Sequence, residues 1–268
     1  MSNRSRRKQR ADRIGILLLT AVAIVVVSLV YLIHRLNSSK VTMDSTTFCP
    51  QDGLRSITAV LLDTTDALDA VQRASVIQRL DSIKESMPRW GELELFSVAA
   101  TGDQLLDVKL KVCNPGRAED IDPLYGNRRL FSRKWQEPFS QKTDKEINEL
   151  LKPHTADVSP ILESIQQAAL QGFGSGSENV PKSLTIVSDM LQNTPELSQY
   201  HGIEPFERFK ETPYYLKVRA DLSGVDVTIL LLNRPQNGIG RRAQLMKFWE
   251  GYFNDAKVKT YHAFAIEG

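Results

Sequence analysis

The strongest constraint on how this chain can fold is a run of 20 residues, 14–33, that carries no charged side chain. At about 1.5 Å of rise per residue, a helix of that length covers the roughly 30 Å hydrocarbon core of a bilayer. The apolar core of a cleaved signal peptide is shorter, about 7 to 15 residues, and ends near a small-residue cleavage site. Because this run continues into Tyr-Leu-Ile-His-Arg-Leu, we expect an uncleaved transmembrane helix, with a signal peptide as the alternative.

The basic residues around this segment are distributed unequally. Six Lys or Arg residues and one Asp occupy positions 1–13, whereas only Arg35 and Lys40 closely follow the apolar run. The cytoplasmic flank of a membrane helix carries the excess of positive charge. We therefore expect residues 1–13 to form a cytoplasmic basic tail and everything after about residue 40 to lie outside the cytoplasm.

The rest of the chain has the composition of a globular protein. Hydrophobic residues make up 41% of the sequence and charged residues 25%, which excludes a disordered or collagen-like chain. The formal net charge is +2 for the whole sequence and −3 for residues 14–268. A slightly acidic domain argues against a nucleic acid partner, which pairs with a basic face. The polar residues 34–53 predict a stalk, and residues 54–268 predict a single domain.

Hydrophobic patterns predict the strands of that domain. Continuous apolar runs, typical of parallel strands covered by helices on both faces, lie at 57–62, 184–187 and 225–232. Residues 106–112 instead alternate apolar and polar side chains, which predicts an antiparallel strand near a sheet edge. Together with residues 93–98 and a turn at Thr101-Gly102-Asp103, this strand would form a hairpin.

Helical patterns alternate with these strands. An apolar stripe at spacings of three and four predicts a helix from Ala67 to Met87, and Ser159-Pro160 has the residue types that begin another. A late helix carries Leu245, Phe248, Trp249 and Tyr252 as a core stripe, followed by a last strand near 258–264. The order predicts an α/β fold: a doubly wound, mostly parallel sheet with an antiparallel edge hairpin, preceded by one transmembrane helix.

Polar side chains follow the apolar runs, where a doubly wound sheet forms its binding sites. Asp63, Thr65 and Asp66 come directly after the first run, Ser159 opens the helix before the second, and Asp189 follows the second. These are hard oxygen ligands, the kind that Mg²⁺ takes. In an alternative interpretation, Thr65 and Asp66 cap a helix and Asp189 shapes its own loop.

The chain resembles the von Willebrand factor type A (vWA) domain at these positions. In that family the first strand ends in Asp-x-Ser-x-Ser, a Thr before a helix adds a hydroxyl, and an Asp after the fourth strand completes a metal-ion-dependent adhesion site. Asp63 and Thr65 match the first two motif places, Ser159 stands where the family has Thr, and Asp189 matches the last. The third motif place is Ala67, which has no side-chain oxygen. The resemblance therefore implies a degenerate site with no cofactor or with weakly bound Mg²⁺.

The resemblance is closer to a bacterial subgroup of vWA-like proteins with a single N-terminal anchor. The segments that carry it are 63–66, 113–116, 188–192 and 248–253. It implies this architecture and a binding rim, and no particular partner. Together with the charge asymmetry around the apolar run, it leads us to expect a single-pass protein of the bacterial inner membrane, with the N terminus in the cytoplasm and the domain in the periplasm.

Two common enzyme motifs are absent from the sequence. It has no Asp-x-Asp-x-Thr at the first strand and no Gly-x-Ser-x-Gly elbow. We expect a module that binds a protein partner of the membrane or envelope at the rim formed by the carboxyl ends of the strands, with Asp66, Arg234, Arg241 and Arg242 as contact residues. In an alternative interpretation the three arginines are solvated and contact no partner. A phosphoester hydrolase that holds Mg²⁺ at the same rim is the alternative.

The two cysteines are Cys49, before the first strand, and Cys113, at the end of the predicted antiparallel strand. Because that strand runs opposite to the first, both residues reach the same end of the sheet, and an exported compartment favours oxidation. We expect a Cys49–Cys113 disulfide, with two free thiols as the alternative.

A basic and aromatic cluster lies at 128–135, inside a mixed loop and helix region. Clusters of this kind bind nucleic acids or lipid headgroups, and they also occur as solvated faces with a packed Trp. The acidic domain around it favours the solvated face.

Overall fold

The structure is a computed structural model that describes residues 3–38, 42–98, 108–120, 127–153, 155–174, 179–234 and 239–266. It divides into two compact units, 1–42 and 43–268. The described part of the first unit is one helix, α1 (Asn3–Ser38). Its segment Gly15–His34 is long and apolar enough to cross a membrane, a property that N-terminal signal sequences share.

The second unit is built on a six-stranded sheet. The strands are β1 (Ser56–Leu62), β2 (Gly91–Ser97), β3 (Val108–Cys113), β4 (Lys182–Ser188), β5 (Val225–Leu232) and β6 (Thr260–Ile266). Their order is β3-β2-β1-β4-β5-β6, with β3 antiparallel to β2 and every other pair parallel. The predicted α/β fold with an antiparallel edge strand is confirmed. The predicted turn at 101–103 lies outside the described residues.

Helices cover both faces of this sheet. They are α2 (Ala70–Ser86), α3 (Arg128–Trp135), α4 (Lys142–Leu150), α5 (Ile161–Gly172), α6 (Phe206–Lys210), α7 (Pro213–Val218) and α8 (Ile239–Asp255), with a 3-10 turn at Ala118–Asp120 and a π turn at Gln136–Gln141. One hydrophobic core lies between one face of the sheet and the helices α5, α6, α7 and α8. A second core lies between the other face and α2, α4 and the π turn. All seven residues of β1 are buried, as its continuous apolar run requires.

The predicted late helix is α8, and its aromatic stripe lies in the core as expected. Phe248, Trp249 and Tyr252 are buried, and the rings of Phe248 and Tyr252 pack against the aromatic residues of α6. The Trp249 indole N–H donates to the carbonyl oxygen of Met190 at 2.8 Å. This bond connects the core directly to the loop that follows β4.

The predicted starts of two helices are wrong. α2 begins at Ala70, because Asp69 is its N-cap and accepts hydrogen bonds from the amides of Val71 and Gln72. Thr65 and Asp66 therefore do not cap it. α5 begins at Ile161, and Ser159 directs its hydroxyl to Asp63 and not to the helix.

The folded unit also begins earlier than the predicted boundary at residue 54, and α1 extends into the predicted stalk as far as Ser38. Asp44 Oδ1 accepts hydrogen bonds from the amides of Thr46 and Thr47, which folds this segment into a turn. The amide of Cys113 donates to the carbonyl oxygen of Thr47 at 2.8 Å. In the structure Cys49 and Cys113 form a disulfide with their Cα atoms 4.9 Å apart.

Removing this disulfide is expected to lower the stability of the domain. The cysteines are 64 residues apart in sequence, and in the chain-entropy model a loop of that size contributes about 4 kcal/mol to the free energy of unfolding. The measurement is urea unfolding of the detergent-solubilised full chain, with and without reductant. The double variant Cys49→Ser, Cys113→Ser should unfold at a lower urea concentration than the oxidised unmodified chain, both with and without reductant. Equal unfolding midpoints for the unmodified chain with and without reductant would contradict the prediction.

Candidate functional site at the carboxyl ends of β1 and β4

Asp63 is the centre of the candidate site. It follows β1, is 6% exposed, and accepts hydrogen bonds on both carboxylate oxygens. Oδ1 accepts from Thr65 Oγ1 at 2.6 Å, and Oδ2 accepts from Ser188 Oγ at 2.6 Å and from Ser159 Oγ at 3.4 Å. One buried carboxylate thus joins the loop after β1, the end of β4 and the segment before α5. We call this cluster, together with Asp66, Asp189 and the elements that hold them, the rim.

Asp189 is the second buried carboxylate of the rim. Its Oδ1 accepts from the amide of Leu191 at 3.0 Å, and its Oδ2 has no hydrogen-bond partner among the described residues. Burial, which is the largest cause, and the charge of Asp63 raise the pKa of Asp189 to about 7. The Leu191 amide and the charge of Arg234 act in the opposite direction.

Arg234, which follows β5, places a guanidinium group between the carboxylates. Its Nη1 donates to the carbonyl oxygen of Ala67 at 3.0 Å. Its Nε lies 3.7 Å from Asp189 Oδ2, and its Nη2 lies 3.9 Å from Asp66 Oδ2. The side chain of Arg234 is 18% exposed and that of Asp66 is 47% exposed, so this cation is largely enclosed by the rim.

The backbone before Arg234 is held from two directions. The carbonyl oxygen of Asn233 accepts from Gln72 Nε2 of α2 at 2.8 Å, and Asn233 Oδ1 accepts from Arg242 of α8. Arg241 donates to the carbonyl oxygen of Gln199 at 2.7 Å. Arg241 and Arg242 therefore bond loop atoms of the rim, and both remain half-buried. Residues 235–238 of the same loop lie outside the described residues.

These contacts test whether the rim fits the divalent ion that a vWA-type site implies. Mg²⁺ requires near-octahedral oxygen ligation, and the side chain of Ala67 offers no oxygen. The carbonyl oxygen of Ala67 already accepts a hydrogen bond from Arg234, whose positive charge lies beside two of the carboxylates. The donor set does not fit a resident Mg²⁺, and weak binding is the most that it supports.

Two rim residues were missed by sequence reasoning. Ser188 is fully buried and donates to Asp63. Its position as the last residue of β4, next to Asp189, is the sequence signal that could have identified it. Tyr200 is 46% exposed, and burial together with the charges of Asp189, Asp66 and Asp63 raises its pKa to about 12. The position of Tyr200 near these carboxylates depends on the path of the loop after β4, and no sequence pattern predicts that path.

The strand order, the antiparallel edge strand and the helices on both faces agree with the resemblance found in the sequence. The second unit has a vWA-like fold. No protein-family model and no curated protein matches this sequence.

Several solved structures are similar to this vWA-like domain in fold. The proximal thread matrix protein 1 of the mussel byssus, with a zinc-occupied MIDAS motif, has 9% identity and a TM-score of 0.42, over 80% of this chain and 42% of that one. BatB from Bacteroides thetaiotaomicron has 12% identity and a TM-score of 0.40, and the match covers 80% of this chain and 92% of BatB. The SpRpn10 VWA domain has 11% identity and a TM-score of 0.41, and the match covers 80% of this chain and 88% of that domain. This chain thus spans less than half the length of the mussel protein, and at these identities the likeness concerns the fold alone.

The raised pKa of Asp189 predicts a pH-dependent stability. Between about pH 4 and pH 7 the native protein holds a proton that the unfolded chain has lost, so this group's stabilising contribution decreases as pH rises through that window. The slope is at most about 1.4 kcal/mol per pH unit. Asp189→Asn should remove this pH dependence. The free energy of unfolding of the variant, measured by urea unfolding, should therefore rise relative to that of the unmodified chain as the pH increases from 5 to 8.

A control for this experiment is Asp221→Asn. Hydrogen bonds from Ser223 lower the pKa of Asp221, so its contribution does not change between pH 5 and pH 8. An unmodified chain whose pH dependence equals that of Asp189→Asn across this range would show that the Asp189 carboxyl does not titrate there.

Metal affinity should depend on Ala67 and Arg234 together. Ala67→Ser restores a hydroxyl ligand and is expected to raise Mg²⁺ affinity in calorimetry. The double variant Ala67→Ser, Arg234→Gln should raise it at least another tenfold, since two positive charges about 4 Å apart repel by about 4 kcal/mol at an effective dielectric constant near 20. Asp189→Ala should abolish any binding. Micromolar Mg²⁺ binding by the unmodified chain that neither substitution changes would refute this account.

Proposed function

We propose that this chain is a membrane-anchored, vWA-like module that binds a protein partner at the rim without a metal ion. The observation that supports the proposal is the position of Arg234, whose guanidinium lies within 4 Å of carboxylates on the loops after β1 and β4. It supplies, from the chain itself, the positive charge that a bound ion supplies in a metal-dependent vWA site.

An acidic side chain of the partner is the group that this arrangement suits. The contact between Arg234 and Asp66 is long, at 3.9 Å, and Asp66 is half-exposed. Exposed ion pairs of this kind are weak, so a carboxylate from a partner can replace Asp66 at the guanidinium. Tyr200 lies half-exposed in the electrostatic field of the same carboxylates and adds an aromatic contact.

The apolar segment of α1 is the anchor in this proposal. Its length matches a bilayer, and the excess of basic residues before it supports a cytoplasmic N terminus. In a bacterium with two membranes the domain then lies in the periplasm, where the Cys49–Cys113 disulfide is stable.

Partner binding is expected to require Arg234 and to be insensitive to chelators. Cross-linking followed by purification of the full chain from solubilised membranes should recover the same partner with the unmodified chain and with Arg208→Gln, an exposed arginine of α6. Arg234→Gln should lose it, and EDTA should have no effect. Recovery with Arg234→Gln, or loss on EDTA treatment, contradicts the proposal. Turnover of a phosphodiester that both Asp63→Ala and Asp189→Ala abolish would favour the hydrolase instead.

The orientation has a separate test. Protease added to spheroplasts should digest residues 41–268 and leave the N-terminal tail intact, as detected by antibodies against each part. A domain that stays protected until the membrane is disrupted would place it in the cytoplasm.

A further inference from the structure

Helix α3 has the most concentrated positive charge of the described part of the domain. Four of its eight residues are Lys or Arg, namely Arg128, Arg129, Arg133 and Lys134, and none is acidic. All four are exposed. Within the described residues only Arg133 has a carboxylate within 4.0 Å, that of Glu137 at 3.6 Å, and both side chains of this pair are more than half exposed.

The aromatic residues of α3 point the other way, toward the domain. The guanidinium of Arg89 lies 5.1 Å from the ring centre of Phe131, and that of Arg117 lies 5.1 Å from the ring of Trp135. Trp135 also packs against the core beneath α2 and α4. The two half-buried aromatic residues therefore hold the helix, and its basic side stays in solvent beside Leu130, which is 47% exposed.

These contacts place α3 at the end of the sheet opposite the rim. Arg89 lies just before β2 begins, and Arg117 lies just after the antiparallel strand β3 ends. Both positions belong to the end where the parallel strands start, since Glu92 pairs with Cys113 there. The disulfide brings Cys49 to the same end, so the folded unit begins at that end of the sheet.

The connection to the anchor is short. Residues 35–43 separate the end of the apolar segment at His34 from the first part of the folded unit. Even a fully extended chain of that length covers at most about 30 Å. Electrostatic attraction extends about 8 Å at physiological salt, so a tether of this length brings a basic helix repeatedly within range of the surface that holds the anchor.

We propose that the basic side of α3 docks on the anionic lipid surface of the membrane that holds the anchor. The domain as a whole is slightly acidic, and α3 concentrates positive charge in one helix at the anchor-proximal end. Lipid phosphates are the anionic groups that the tether places within reach, and each basic side chain near such a surface strengthens binding about fivefold. The inference rests on the membrane anchorage proposed above, and it leaves the rim facing away from the bilayer.

Hydrogen exchange of the full chain in nanodiscs tests this surface. In discs of equal parts phosphatidylglycerol and phosphatidylcholine, the amides of residues 128–135 should exchange at least fivefold more slowly than in discs of phosphatidylcholine alone. The difference should disappear in about 0.5 M NaCl, which shortens the screening length to roughly 4 Å. Arg129→Glu together with Lys134→Glu should reduce it below twofold.

A matched control is Lys217→Glu with Lys247→Glu, which makes the same charge change at exposed positions of α7 and α8 on the other face of the sheet. It should keep the full protection, as should Arg234→Gln, so failure of the rim proposal is distinguishable from failure of this one. Circular dichroism confirms that each variant is folded. Equal exchange in both kinds of disc overturns the proposal, as does protection of α3 by an oligonucleotide without protection by phosphatidylglycerol.

Discussion

The buried carboxylate of Asp63 is the interaction on which the rim depends. A charge this deeply buried is tolerated only when hydrogen bonds replace its lost hydration, and three hydroxyl groups from separate segments do so here. Each of those segments is fixed in turn by other constraints, such as Ser188 by its place at the end of β4. Loss of one hydroxyl would remove one of the bonds that offset this burial, and it would weaken the connection between loops that are far apart in sequence.

A second carboxylate beside Asp63 makes the rim unfavourable without a nearby cation. Burial and repulsion from Asp63 both act against ionisation of Asp189, and Arg234 is the group that opposes them. Its guanidinium donates to a backbone carbonyl oxygen and lies near two carboxylates. A metal ion at this place would need a full set of oxygen ligands, whereas the arginine does not. In this chain Ala67 offers no side-chain ligand, and Arg234 bonds the carbonyl oxygen of that same residue.

The strands along the chain and the antiparallel edge could be predicted from the sequence, because hydrophobic periodicity reports directly on which faces of a strand are buried. Asp63, Thr65, Ser159 and Asp189 could also be assigned to one rim, since the carboxyl ends of parallel strands meet. The start of α2 could not, because Thr65, Asp66 and Asp69 are all suitable caps. In the structure Thr65 bonds Asp63, and Asp69 accepts the first amides of α2. The position of Arg234 depends on contacts across more than 160 residues of sequence, which no local pattern encodes.

The bond from Trp249 to the carbonyl oxygen of Met190 has an optical consequence. Met190 follows Asp189 directly and has a left-handed backbone, with a φ of 63°, so a small shift of this loop changes the surroundings of the indole. The other two tryptophans, Trp90 and Trp135, lie under arginines at the far end of the sheet. A buried indole bonded to the rim thus gives this protein a built-in fluorophore whose emission follows what happens at Asp189, without any attached label.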